Sequence, residues 1–210
     1  MINTPTKHLS WTQLDMIERN KKGYIQRYIY GEKFVTPEME YGKNVARILA
    51  GQAEVDKYDP GLAMALEFLP RYPKAEAKFT PKLKHKDGEI PLLGYLDGWD
   101  YRKLIVDEIK TGRRRKDGKA SWTQATADKH SQLQFYALMV YLKYGKLPKE
   151  TRVSWIETRK DEDNRHIYAT GFVQVFSVKI SQQQVLKMAA RAVKGWNLIQ
   201  EVTQKHYDRF

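Results

Sequence analysis

The chain has 210 residues, no cysteine and a formal net charge of +12. The lack of cysteine excludes disulfides, thiolate zinc sites and iron–sulfur clusters, and no apolar run approaches the roughly 20 residues that span a bilayer. The first residues also lack the layout of a secretory signal, so we expect a cytoplasmic protein without a membrane partner. The positive surplus favours polyanions such as nucleic acid, although many basic proteins bind none.

Capping residues and hydrophobic periodicity predict the elements. A capping box at Ser10-Trp11-Thr12-Gln13 opens the first helix, and Thr36-Pro37 opens another. The predicted helices cover 10–28, 36–50, 60–69, 127–144 and 181–203. The predicted strands cover 75–83, 91–97, 104–110, 151–158 and 166–178. With no repeat or linker, this order predicts one α/β domain over 1–210, with a central mixed sheet flanked by helices.

Glu108-Ile109-Lys110 is an acid-x-lysine triplet on a strongly β-forming run. Two other such triplets begin at Glu76 and Asp117, so the spacing alone has little weight. Alternate residues of a strand face the same side, so Glu108 points with Lys110 while Asp107 points the other way. Parity therefore selects Glu108 as the partner of Lys110.

A second carboxylate precedes this strand. A hairpin with its tip at Arg102-Lys103 would place Asp97 opposite Glu108, with Cβ atoms roughly 4.5–5.5 Å apart. Two carboxylates that close repel each other unless a proton or cation lies between them, and a divalent metal such as Mg²⁺ suits such a pair. The alternative is a surface hairpin with a salt bridge between Glu108 and Lys110 and no metal.

Four segments in order match a known group of enzymes. They are the helix start LSWTQL at 9–14, GYLD at 94–97, IVDEIKTG at 105–112 and QLQFY at 132–136. In these segments the chain resembles the PD-(D/E)xK nuclease superfamily, in the branch of the RecB nuclease domain and the Cas4-like exonucleases. The match spans about two thirds of the chain.

The resemblance implies a restriction-endonuclease-like fold and assigns roles to six residues. Asp97 and Glu108 would bind Mg²⁺ or Mn²⁺ together with the main-chain carbonyl of Ile109, and Lys110 would be the catalytic lysine. Gln132 and Tyr136, one helical turn apart, would complete the catalytic set beside Lys110. A core-facing Tyr136 with no catalytic role is the alternative for that residue.

Two features depart from this branch. Many relatives carry a metal-binding histidine or glutamate four residues after a helix glycine, but here Gly42 is followed at that spacing by Ala46. That ligand is therefore absent or comes from elsewhere. The iron–sulfur relatives also have a cysteine near Asn20, which this chain lacks.

A basic loop follows the lysine strand, and its residues would contact DNA phosphates and an unpaired base. They are Arg113, Arg114, Arg115, Lys116 and Lys119 for phosphate, and Trp122 for stacking. The alternative is a solvated basic loop without a specific role.

Together these features predict a metal-dependent DNA nuclease, more specifically an exonuclease of recombination or repair. A phage origin, and a helicase or annealing protein as partner, would suit a nuclease of this size. Two alternatives remain at this stage. One is a catalytically silent nucleic-acid-binding module, and the other is a subunit of a larger recombination complex.

Overall fold

A five-stranded mixed sheet and seven α-helices build the part of the chain that the computed structural model describes, residues 7–163 and 166–207. The strands are β1 (Lys74–Phe79), β2 (Lys82–His85), β3 (Gly88–Pro91), β4 (Gly94–Asp100), β5 (Ile105–Gly112), β6 (Glu150–Lys160) and β7 (Ile167–Val178). The helices are α1 (Trp11–Arg19), α2 (Lys21–Tyr24), α3 (Pro37–Leu49), α4 (Pro60–Phe68), α5 (Gln124–Asp128), α6 (Ser131–Tyr144) and α7 (Gln182–Tyr207).

The main sheet has the order β1-β4-β5-β6-β7, which places β5 at its centre. Only the pairing of β5 with β6 is parallel among the pairs of this sheet, and α6 lies in the crossover between them. The larger core packs α1, α6 and α7 against one face, through Leu14, Phe135 and Trp155 among others. A smaller core joins α3 and α4 to the other face through Val45, Leu62 and Ile156. The prediction of a single α/β domain with a mixed central sheet is thus confirmed.

The prediction of one continuous helix over 10–28 is wrong, because the segment is interrupted at Asn20. Asn20 leaves helical geometry at φ −145° and ψ 71°, and its side chain accepts a hydrogen bond from the Gly23 amide at 2.9 Å. This contact caps α2, which passes directly into a π-helical turn over Ile25–Ile29. Asparagine favours such caps because its side chain competes for backbone donors.

Two predicted strands are also interrupted. The strand over 75–83 ends at Phe79 and resumes at Lys82, because Pro81 between them has no amide to donate to a ladder. The strand over 91–97 is divided between β3 and β4, since the Leu93 amide bonds to the carbonyl of Leu9 at 2.9 Å instead. β2 and β3 therefore form a separate two-stranded hairpin.

The predicted helix over 127–144 is two helices, α5 and α6, which are separated at Lys129 and His130. The other predicted elements are confirmed to within a few residues at their ends. Within the described residues, no helix is both long and apolar enough to cross a membrane.

Candidate active site

The hairpin of β4 and β5 has the register that the sequence predicts. Gly98 pairs with Asp107 and Asp100 with Ile105, around a turn over 101–104. Asp100 fixes this turn, because its Oδ1 accepts from the amides of Arg102 and Lys103, each at 2.9 Å. One step beyond the last paired residues, Asp97 Oδ2 accepts a hydrogen bond from the Ile109 amide at 2.7 Å. Asp97 and Glu108 therefore meet at the open end of the hairpin.

Asp97 and Glu108 are held together at an electrostatic cost. Burial raises the pKa of Asp97 well above its ordinary value, and the negative charge of Glu108 raises it further, against the hydrogen bond from the Ile109 amide. Glu108 is 3% exposed, and its Oε2 has no hydrogen-bond partner among the described residues. A cation between the two carboxylates would relieve both the repulsion and the missing contact.

Glu76 is a third carboxylate at this place, and the sequence analysis missed it. It lies on β1 at the step between the pairs Ala75–Gly98 and Ala77–Leu96, and therefore opposite Asp97. Burial raises the pKa of Glu76, a hydrogen bond with Asp97 acts against this, and the charge of Glu108 adds to the rise. Its backbone has φ +49°, a region that non-glycine residues rarely adopt. The strain is consistent with a functional position.

Lys110, Gln132 and Tyr136 form one chain of hydrogen bonds beside the acids. Lys110 Nζ donates to Glu108 Oε1 at 2.5 Å and to Gln132 Oε1 at 3.0 Å. The Gln132 amide in turn donates to the Tyr136 hydroxyl at 2.8 Å. Burial alone would lower the pKa of Lys110, but the charge of Glu108 and the hydrogen bond to it outweigh burial and raise it. The lysine is thus held as a cation in a fixed orientation.

A cavity of about 530 Å³ opens onto this cluster between α3 and the sheet. Glu76, Asp97, Glu108 and Lys110 line it from the sheet side, and Ala46 lines it from α3. Ala46, four residues after Gly42, therefore faces the acids with a methyl group. In the described part of the chain, no three Asp, Glu or His side chains converge closely enough to hold a metal ion by themselves.

Asp107 occupies the opposite face of β5. Its Oδ2 accepts from the Ser154 hydroxyl at 2.6 Å and from the Tyr72 hydroxyl at 2.9 Å. Burial raises the pKa of Asp107 to about 6, against these hydrogen bonds and the positive charge of Arg152. The parity argument that separated Asp107 from Lys110 therefore agrees with the structure.

The basic loop after β5 is exposed over 113–119, but several of its charges are paired. Arg114 forms a salt bridge with Glu157 at 2.8 Å, and Asp117 lies 3.6 Å from Arg115 and 3.8 Å from Lys119. Arg113 and Lys116 have no carboxylate within salt-bridge distance among the described residues. These two are the loop cations best placed to bind phosphate.

Trp122 lies at the end of the basic loop, and it is only partly exposed. Its ring packs against the larger core and meets His130 edge-on, with ring centroids 5.0 Å apart. Burial lowers the pKa of His130 to about 4, and the charge of Lys110 adds to this effect. Trp122 thus borders the site through a neutral histidine, and only part of its ring is available for stacking.

The fold is that of an α/β domain with a mixed five-stranded sheet, and it is shared with a solved structure. Among solved structures, a candidate exonuclease from Eubacterium rectale is similar in fold, with a TM-score of 0.59 and 10% identity. The match covers 95% of this chain and 82% of that chain. A protein named SSO0001 matches with a TM-score of 0.45 and 15% identity over 90% of this chain and 76% of that one, too weakly to support an argument. No family model and no curated protein matches the sequence.

Proposed function

We propose that this chain is a metal-dependent DNA nuclease of the PD-(D/E)xK type, and more specifically an exonuclease. One observation carries the proposal. The buried Glu108 carboxylate lies beside Asp97 and is hydrogen-bonded to a lysine that Gln132 orients. Paired acids that can hold a metal, next to a fixed cationic donor, suit the hydrolysis of a phosphodiester. The fold shared with a candidate exonuclease supports the same conclusion at the level of architecture.

Asp97, Glu108 and the main-chain carbonyl of Ile109 would hold Mg²⁺ or Mn²⁺. Two carboxylates suit Mg²⁺, which in proteins keeps several waters and takes further ligands from substrate phosphates. The unpartnered Glu108 Oε2 and the raised pKa of Asp97 both fit a cation at this place. The bound ion would polarise the phosphate and lower the pKa of a water. Glu76 borders the same cavity and would accept hydrogen bonds from such waters.

The residues of the chain have separate tasks in hydrolysis. The oxygen of a water forms a bond to phosphorus as that water gives a proton to a neighbouring water. The bond from phosphorus to one ester oxygen breaks, and that oxygen takes a proton from water as it leaves. Lys110 is a fixed donor at the place where negative charge grows on the phosphate. Gln132 holds Lys110 by a hydrogen bond, and Tyr136 holds Gln132. The last two are therefore positioning residues.

The basic loop would bind the DNA backbone at the rim of the site, through Arg113 and Lys116 first and through Arg114, Arg115 and Lys119 when their ion pairs open. Trp122 would add a limited stacking surface. A role in recombination or repair, a phage origin and a helicase or annealing partner belong to the same proposal, and they rest on resemblance alone.

A catalytically silent nucleic-acid-binding module is the second candidate. Ala46 favours it, because the cavity wall lacks the side chain that many relatives use for a metal. The intact hydrogen-bond chain from Glu108 through Lys110 to Tyr136 favours the enzyme instead.

The purified chain should be incubated with linear and circular, single- and double-stranded DNA, in Mg²⁺, Mn²⁺ or EDTA. The exonuclease proposal expects metal-dependent loss of linear DNA only, abolished in Lys110→Ala and Glu108→Ala. Cleavage of circles would make the protein an endonuclease. Retained DNA binding with no cleavage in any condition would overturn the proposal of an enzyme and favour the catalytically silent nucleic-acid-binding module.

A further inference from the structure

A second cavity reaches Gln132, the hydrogen-bond partner of Lys110. Its volume is about 330 Å³, within the range of small-ligand sites. Four aromatic residues line it, Trp11, Tyr28, Tyr95 and Tyr136, together with Gln132. Gln132 also holds Lys110 and Tyr136 holds Gln132, so the cavity adjoins the place proposed for the scissile phosphate.

Tyr95 is the most exposed of these aromatic rings. It is 44% exposed on β4, although tyrosines on the strands of a sheet usually bury their rings against neighbours. It lies two residues before Asp97, so its side chain points to the same side of the strand about 7 Å away along it. That spacing is on the scale of one nucleotide of an extended strand.

Lys78 accompanies Tyr95 on the neighbouring strand. The two residues are directly paired between β1 and β4, so their side chains emerge side by side. Lys78 is exposed, and none of the carboxylates in the described residues lies within salt-bridge distance of it. β1 and β4 thus carry the acids Glu76 and Asp97, and two residues away on each strand they carry Lys78 and Tyr95.

We propose that Tyr95 and Lys78 form a nucleotide subsite that takes an unpaired base of the DNA strand being cut. The base stacks on Tyr95 at the mouth of the aromatic cavity, and Lys78 binds the adjoining phosphate. A base inside a duplex already has both faces covered by its neighbours, so the subsite selects single strands or frayed ends. This inference rests on the proposed nuclease function, because that function places the scissile phosphate beside the cavity.

Binding to the Lys110→Ala protein tests the subsite without hydrolysis. Fluorescence anisotropy should compare a short single-stranded oligonucleotide with an abasic oligonucleotide of equal length and charge. We expect Tyr95→Ala to raise the Kd for the base-bearing strand at least about fivefold and the Kd for the abasic strand little. Tyr101→Ala is a matched control, since Tyr101 is 45% exposed in the turn beyond β4. Melting curves should show that both variants are folded.

Lys78→Ala should instead raise the Kd for both oligonucleotides by the same factor. It should also reduce the slope of log K against log salt concentration by about 0.7. Lys74→Ala is its control, because Lys74 is also exposed and lies at the other end of the same strand.

The outcomes separate this subsite from the nuclease itself. Equal effects of Tyr95→Ala and Tyr101→Ala, or an equal loss for blunt duplex, would overturn the subsite even if the wild type cleaves DNA. No binding of single strands by the Lys110→Ala protein would overturn it as well. A Tyr95-dependent preference for base-bearing strands, found in a protein that cleaves nothing, would support the subsite while the enzyme proposal fails.

Discussion

Asp107 and Glu108 are neighbours on β5, and both are buried, with 0% and 3% of their surface exposed. Each also has one carboxylate oxygen without a hydrogen-bond partner among the described residues. Burial and an unpartnered oxygen therefore do not distinguish them.

The residues that surround Asp107 and Glu108 do distinguish the two acids. Asp107 pairs with Gly98 and accepts hydrogen bonds from two neutral hydroxyls, those of Ser154 and Tyr72. Glu108 lies beside Asp97, and Glu76 lies near both, so the neighbours of Glu108 include two other carboxyl groups. The difference teaches that buried acids placed against one another leave a repulsion that a bound cation would relieve. A buried acid supplied with hydroxyl donors is explained by the fold alone.

The strongest test of this contrast is Glu108→Gln. The substitution keeps the shape of the side chain but removes the charge that would hold the metal, so we expect cleavage to fall by about a thousandfold or more. Initial rates on linear DNA in saturating Mg²⁺ would measure the effect. Unchanged DNA binding would show that the loss is chemical, whereas a loss of only a few fold would contradict the role of Glu108.

Metal binding without DNA should stabilise the protein. At a Mg²⁺ concentration of about 100 times its Kd, the free energy of unfolding should rise by about 2.7 kcal/mol. For a chain of this size the melting temperature would then rise by roughly 5–10 °C. Asp97→Asn should abolish the shift and, in EDTA, should melt above the wild type because the repulsion is gone. A shift of equal size in both proteins would place the ion elsewhere.

Ala46→Glu would add a carboxylate to the cavity wall that faces the acids. If Ala46 stands where a ligand is missing, the Mg²⁺ concentration for half-maximal activity should fall about tenfold, because affinity rises with the charge of the ligand set. Ala46→Gln is a control of the same size without the charge. Equal behaviour of the two variants would show that position 46 does not reach the ion.

Ser154→Ala tests the other face of β5 and should have the smallest effect. Loss of its hydrogen bond to Asp107 should cost about 1 kcal/mol of unfolding free energy, and thus about 2–4 °C in melting temperature. Nuclease activity below that temperature should stay within about threefold of the wild type. A large loss of activity with unchanged stability would make Asp107 part of the active site.

The position of Asp97 beside Glu108 was predictable because a hairpin joins their strands, so the turn length sets the register. Parity on β5 likewise separated Glu108 from Asp107 without any tertiary information. The fold class followed from the order of helices and strands, since a strand, a helix and a further strand build a parallel pair.

Glu76 was not predictable in the same way. It reaches Asp97 through the pairing of β1 with β4, which are separated by the β2–β3 hairpin, and through a backbone conformation that is rare for glutamate. The sequence signal that could have indicated Glu76 was the triplet Glu76-Ala77-Lys78 on a predicted strand. Because the chain has two other acid-x-lysine triplets, this triplet alone did not identify a site residue. The ion pairs of the basic loop were also hidden, because Glu157 comes from β6.

The parallel pairing of β5 with β6 also sets the order in which the site can form as the protein folds. The β4–β5 hairpin closes a short loop at little entropic cost, so Asp97 and Glu108 can meet early. Lys110 gains its partner Gln132 only when α6 docks, and parallel pairing across such a crossover is slow. A chain that has only begun to fold therefore holds the acids without an oriented lysine. In the proposed nuclease, cleavage of DNA would therefore require the finished sheet.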